Sequence, residues 1–289
     1  MKKEHFCLLF LVTIVFLSGC TQQTACKNDV ITIADYNLYS RTLYSGGRTG
    51  IDFRIVNSGD SEIKNVEVDF FDTSGLEISN LKCGGGTSTN SKCVFQNMQQ
   101  DVRDVSLRLR APEVEEKTPY TVSFSVSYSD SGGRTMIIPI IDGEIKREPT
   151  LQYSVSPPSC DPIQVDIEKE VKPEETQKEY WTMVDMPFEV KFIFNHVGTV
   201  EEVKKIKLEE GDVILELNNL KIQEPCDFDS SLISKKAVDV NGDENDNVLT
   251  CNFIPIILDQ PEYTGVIGIK YRYNYEYVKS ETFTIYPSG

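Results

Sequence analysis

The side chains able to do chemistry in this chain are few, and most of them point away from catalysis. Proton-transfer chemistry needs groups of suitable pKa brought together. Once the first 19 residues are set aside as a processing segment, His196 is the one histidine left, in a turn slot just past a strand pattern. A structural turn histidine is expected there, and no serine triad is assembled around it. No glycine loop of the Walker or dinucleotide type occurs to cradle a phosphate. Oxygen-bearing residues gather at Asp239, Asn241, Asp243, Asn245 and Asp246. Alternating oxygens open a calcium loop of the EF-hand kind, but Glu244 takes the place of its glycine and Thr250 that of its closing glutamate. An ordinary solvated turn without a cofactor is therefore expected, with calcium as the alternative. Tyr271, Tyr273, Tyr275 and Tyr277 recur at a spacing of two. On an uninterrupted strand they share one face, which, if exposed, can stack on sugars or on a protein partner. A hairpin turn near Asn274 would split them and send some into the core, and this arrangement is favoured over a binding patch.

Sulfur gives the clearest signal. Apart from Cys7 and Cys20, six cysteines remain: Cys26, Cys83, Cys93, Cys160, Cys226 and Cys251. An even set in an exported chain implies disulfides, which closes the route to a nucleophilic thiol. None of the spacings is the close Cys-x-x-Cys pair of a structural zinc site.

Export is read from the N-terminus. Met1-Lys2-Lys3 supplies positive charge, and Phe6 to Leu17 is an apolar run of 12 residues. As a helix that run is about 18 Å long, short of a bilayer core of about 30 Å. It ends in Leu17-Ser18-Gly19-Cys20, which resembles the lipobox of bacterial and archaeal lipoproteins. The resemblance implies cleavage after residue 19 and lipid attachment to Cys20. The expected location is then the outer (extracellular or periplasmic) side of the cell membrane, with residues 20–29 as a tether of roughly 30 Å. The chain carries 29 basic and 45 acidic residues, a net charge of -16, a surface that repels nucleic acid. From Pro149 onward there are 13 basic and 26 acidic residues, so the distal half is the acidic half.

The elements that must position these residues are read from an internal repeat. Ile51, Phe53 and Ile55 alternate with polar residues up to Gly59; Val190, Phe192 and Phe194 do so up to Gly198. Asn80-Leu81-Lys82 leads to Cys83 as Asn219-Leu220-Lys221 leads to Cys226, and Cys93-Val94-Phe95 answers Cys251-Asn252-Phe253. Tyr120-Thr121 answers Tyr263-Thr264. Short alternating segments between Gly, Pro, Asn and Asp are the pattern of antiparallel sandwiches.

The chain is thus expected to be all-β: two tandem immunoglobulin-like antiparallel sandwiches, residues 30–146 and 163–289, joined by a proline-rich linker over 147–162. Strands are expected near 30–39, 50–57, 63–72, 75–82, 93–98, 103–110, 120–129 and 134–141. In the second copy they are expected near 163–170, 187–195, 203–209, 212–222, 248–257, 263–274 and 276–286. Ser129-Asp130-Ser131-Gly132-Gly133 is expected to be a hairpin loop.

The strand ending in Asn57-Ser58-Gly59, followed by Asn65-Val66-Glu67-Val68, resembles the CARDB-type immunoglobulin-like domain of archaeal and bacterial surface proteins. That resemblance implies a sandwich used at cell surfaces, generally without catalysis; copy two departs from it, with His196 in the place of Asn57. By the repeat, Cys83 pairs with Cys93 and Cys226 with Cys251. Cys26 and Cys160 are left over, one before the first strand of each copy, either bridging the two or reshuffled within a domain. The expected role is a non-enzymatic, membrane-tethered binding, adhesion or envelope module for a protein or glycan. The alternative is an accessory subunit of a membrane enzyme or transporter.

Overall fold

The computed structural model describes residues 30–59, 61–142, 148–159, 161–170, 180–197, 203–207, 213–223, 226 and 247–289. Among them there is no helix, and the chain is all-β. Copy one contributes β1 (Ile31–Leu38), β2 (Thr42–Tyr44), β3 (Arg48–Asn57), β4 (Ile63–Asp72), β5 (Glu77–Cys83), β6 (Thr87–Thr89), β7 (Lys92–Met98), β8 (Val102–Arg110) and β9 (Thr118–Ile141). Copy two contributes β10 (Ser154–Val155), β11 (Ile163–Lys169), β12 (Thr182–Met183), β13 (Phe188–His196), β14 (Val203–Lys207), β15 (Val213–Asn218), β16 (Leu220–Ile222), β17 (Val248–Pro255) and β18 (Glu262–Tyr286).

These strands form two sandwiches that share their middle sheet. One four-stranded sheet runs β1-β3-β8-β5 and another β11-β13-β17-β16. Both pack on a ten-stranded sheet whose spine is β14-β18-β9-β4-β7-β6, with β2, β10, β12 and β15 added to its two long strands. Val122, Phe124, Val126 and Tyr128 in the first half of β9 and Met136, Ile138 and Ile140 in its second half are all buried at even positions. An uninterrupted strand places even positions on one face, so both four-stranded sheets lie on the same side of the ten-stranded one. In the first sandwich Phe53 stacks on Phe124 and Phe70 packs against it at a tilt, with ring centroids 5.0 and 5.2 Å away.

The two expected hairpins do not form. Residues 118–141 are one strand of 24 residues and 262–286 one of 25, antiparallel from Glu262 opposite Ile141 to Ile285 opposite Thr118. At about 3.3 Å per residue each runs close to 80 Å. The Gly132-Gly133 pair and Asn274, which suggest turns, instead lie where the strands cross from one sandwich to the other. Gly132 is needed there because a Cβ would overlap the hydroxyl and ring of Tyr271. The expected strand over 212–222 divides at Asn219, whose φ of 57° is left-handed. Its amide donates to the Thr264 carbonyl (2.9 Å), and the chain passes there from the shared sheet to the outer one. Within the expected linker, β10 pairs with β9 at Ile137 and Met136, so part of that segment belongs to the shared sheet.

Arg134 pins the second four-stranded sheet to β9. Its guanidinium donates to the Ser156 carbonyl (2.9 Å), the Val165 carbonyl (2.8 Å) and the Asp166 carboxylate (2.5 Å), and its side chain is 15% exposed. Arg134→Met keeps the stem but strands two carbonyls, while the half-exposed Asp166 carboxylate keeps the Asn195 amide (2.9 Å). The substitution is expected to lower stability by about 2–3 kcal/mol, read as a lower urea midpoint at unchanged m-value.

The Asn57-Ser58-Gly59 motif has a local cause. Asn57 is buried, and its side-chain amide donates to the carbonyls of Ser61 and Met98 (both 2.8 Å) while its Oδ1 accepts from the Gly59 amide (3.0 Å). Gly59 has no room for a Cβ, which would sit 2.9 Å from Val30. In copy two His196 occupies the matching end of β13, opposite Ile163 as Asn57 is opposite Ile31.

Candidate functional site

The junction between the sandwiches gathers most of the singled-out residues the structure describes. Carried along the strands at the spacing that matches Tyr120 to Tyr263, Asp130 corresponds to Tyr273, and these two are directly paired. An approximate two-fold axis therefore passes between them. The same relation carries Tyr128 to Tyr271; Tyr128 is paired with Tyr275, and Tyr271 with Gly132. One half of the seam thus stacks tyrosine on tyrosine, ring centroids 5.1 Å apart, and the other lays a tyrosine over a glycine.

Tyr271, Tyr273, Tyr275 and Tyr277 do share one face of an uninterrupted strand, but that face is internal: they are 1%, 1%, 1% and 5% exposed. The spacing that suggested a stacking patch builds the core of the seam, so these four do not make an exposed aromatic surface. The Tyr271 hydroxyl donates to the Ile163 carbonyl (2.7 Å) and lies 3.4 Å from Ser159 Oγ. Burial pushes its pKa up to about 12, and that of Tyr273 is raised by burial too. His196 is not in a turn but is the last residue of β13, and its Nε2 lies 3.1 Å from the Tyr275 hydroxyl.

Asp130 is the exceptional group of this seam. Its Oδ1 accepts from the Ser131 amide (2.8 Å) and its Oδ2 from the Tyr273 hydroxyl (3.3 Å). Burial pushes its carboxyl up to about 6, the Asp161 carboxylate adding to the effect. Asp161 is itself raised by burial. The sequence offered no signal for this, since Asp130 sits in what reads as a polar loop.

Both disulfides expected from the repeat are present, Cys83–Cys93 and Cys226–Cys251. The first ties β5 in one sheet to β7 in the other. Cys20, Cys26 and Cys160 lie outside the described residues, as do Asp239, Asn241, Asp243, Asn245 and Asp246. Among the described residues no group of three or more His, Cys, Asp or Glu side chains is placed to hold a metal ion.

Two surfaces escaped sequence reasoning because they depend on register. On the outer face of β3 and β8, Arg108 grips Asp52 with a guanidinium fork (2.5 and 3.1 Å) while the Tyr39 hydroxyl donates to the same carboxylate (2.5 Å). The Arg108 hydrogen bonds hold Asp52 down to about 2, and the guanidinium lies 4.8 Å over the exposed Tyr39 ring. The second surface is a polar stretch of the outer face of the ten-stranded sheet, where by alternation Ser127, Ser129 and Ser131 on β9 stand beside Arg272, Asn274 and Glu276 on β18, with Ser129, Ser131, Arg272 and Asn274 exposed.

No protein-family model and no curated protein matches the chain. Among solved structures it is similar in extent to the Enterococcus faecalis MSCRAMM ACE, which binds its ligands by the collagen hug model. The identity is 8%, the coverage 91% of this chain and 96% of that one, and the TM-score 0.25. A putative membrane-anchored protein from Corynebacterium diphtheriae aligns at 8% identity over 90% and 92% of the two chains, with a TM-score of 0.17. Escherichia coli alpha-2-macroglobulin activated by porcine elastase aligns at 6% identity over 89% of this chain and 33% of its own, with a TM-score of 0.18. Likenesses at such scores carry no argument about binding or activity.

Proposed function

We propose that the chain is a membrane-tethered, non-enzymatic surface module that offers the outer face of its ten-stranded sheet to a cell-surface protein or glycan. One observation carries this: near the seam that face presents the exposed polar side chains Ser129, Ser131, Lys270, Arg272 and Asn274 from the two longest strands. The point of entry of the chain supports it. The Val30 carbonyl accepts from the Ser58 amide (2.8 Å) beside Asn57, at the seam end of β3. A tether from Cys20 therefore meets the molecule at mid-length, on the side of the four-stranded sheets, and leaves the opposite face turned away from the bilayer.

Intact mass of the detergent-extracted protein, before and after reduction, tests the anchor. Loss of residues 1–19, an acylated Cys20 and six thiols appearing only on reduction are expected; an acyl-free or uncleaved chain removes the tether. Arg272→Glu together with Ser129→Tyr, both on the outer face, is expected to weaken binding to whole cells or arrayed glycans by about tenfold or more with the unfolding midpoint unchanged. Binding that is indifferent to these changes overturns the assignment of the face. Stoichiometric co-purification of an integral membrane protein instead identifies an accessory subunit.

A further inference from the structure

Along β3 and β8, Arg48 stands opposite Arg110, Gly50 opposite Arg108, Asp52 opposite Ser106 and Arg54 opposite Asp104. Ile51 and Phe53 on β3 and Leu107 and Leu109 on β8 are buried between them, so by alternation these pairs point outward. Two arginines therefore face one another directly, Arg48 as the first residue of β3 and Arg110 as the last of β8, and both are exposed. Directly opposed residues have Cβ atoms roughly 5 Å apart, and like charges so placed work against the fold. Neither guanidinium has an ion-pair or hydrogen-bond partner among the described residues. Two carboxylates share this end of the face. Asp52 is taken by Arg108 and Tyr39, and Glu77, opposite Arg110 on β5, forms no ion pair with it.

The ground beside these two arginines is already built. A Cβ on Gly50 would lie 2.7 Å from Arg108 Nη1, so the bare glycine lets the Arg108 guanidinium lie close to the sheet. Asp52 holds that guanidinium with both oxygens, and the exposed Tyr39 ring lies against it at 4.8 Å. A fixed platform of ring and guanidinium thus adjoins two uncompensated cations, on a chain whose net charge is -16. Arginine forks match planar or tetrahedral oxyanions, and an exposed aromatic ring can stack on a sugar.

We infer that this end of the first four-stranded sheet binds an acidic polysaccharide: Arg48 and Arg110 close on its carboxylate or sulfate groups, and the Tyr39 and Arg108 platform supports a neighbouring sugar ring. The inference depends neither on the outer face of the ten-stranded sheet nor on the tether. A protein partner fits this end less well, because the centre of a protein interface is apolar and depleted of charge. Here the exposed side chains, Tyr39 apart, are charged or polar. An anionic bilayer fits less well too, since two arginines attract it weakly against the acidity of the whole chain.

Binding of the detergent-extracted full chain to immobilised polygalacturonate, dextran sulfate and neutral dextran tests the site. Retention by at least one of the charged polymers and not by dextran is expected, weakening as salt rises. Arg48→Gln with Arg110→Gln is expected to lower the affinity about tenfold or more, through the loss of charge-assisted hydrogen bonds. The urea midpoint of that variant is expected to hold or rise, because a like-charge pair is removed. Tyr39→Ala gives a separate reading, with an expected loss of about threefold or more. Lys191→Gln with Lys221→Gln takes the same charge from the second sandwich and is expected to leave binding within about twofold. Failure of both charged polymers to bind overturns the site, as does an arginine or Tyr39 variant that binds like the parent. A lysine variant that loses as much as the arginine variant shows a diffuse charge effect and overturns it equally. Stronger binding to vesicles of phosphatidylglycerol and phosphatidylcholine replaces the glycan with a membrane surface.

Discussion

Replacing Tyr271 with alanine is expected to remove roughly 3–5 kcal/mol of stability, the range for deleting a large buried ring. The ring is packed edge-on against Phe194 at 5.5 Å and over Gly132, and its hydroxyl is tied to the Ile163 carbonyl across the sandwich. The alanine variant leaves both a void and an unpaired acceptor. Gly132→Ala attacks the same contact from the other side. Because the ring is held at its hydroxyl end it cannot swing away from an added methyl, and overpacking of this kind costs about 1–3 kcal/mol. The double variant is expected to lose less than the two singles together, since the methyl enters space the ring has vacated. Urea unfolding of the four proteins checks this cycle; strict additivity would mean that Gly132 and Tyr271 do not constrain one another.

The second large effect is on the distal disulfide. Cys226 and Cys251 are 25 residues apart and Cys251 is wholly buried; Cys83 and Cys93 are 10 apart. Loop-closure estimates put the loss at roughly 3.5 kcal/mol for the longer loop and nearer 2.5–3 for the shorter. Cys226→Ala with Cys251→Ala is therefore expected to lower the urea midpoint more than Cys83→Ala with Cys93→Ala. The longer loop also spans the acidic run of Asp239 to Asp246, whose mutual repulsion favours an open chain once the tie is cut. A larger loss from the proximal pair would show that native-state strain, and not chain entropy, sets the contribution.

Period-two alternation was legible wherever one face is buried, as at Ile51, Phe53 and Ile55 or at Val122 to Tyr128, because burial itself imposes that pattern. The cysteine pairing was legible for a different reason: two copies of one fold must place their sulfurs alike. What could not be read was the seam. Ser-Asp-Ser-Gly-Gly satisfies every local rule for a hairpin, and only the distant Tyr271 ring turns Gly132 into a strand residue. Likewise the tyrosine run looks the same in sequence whether its face meets solvent or a second sheet, and only the pairing of β18 with β9 along their whole length decides. The short strands β2, β6, β10 and β12, of two or three residues each, carry no periodicity to detect.

The shared sheet has a consequence for how the molecule is made. β9 is complete once residue 141 has been synthesised, but its longest partner, β18, does not begin until residue 262. During synthesis the first copy therefore waits with one flank of a 24-residue strand unpaired, a template for pairing with the wrong chain. Closing contacts of such sequence separation is slow. The order of events in folding should thus depend less on either half than on the arrival of the last strand, and a nascent chain stalled before it would be the species most in need of a chaperone.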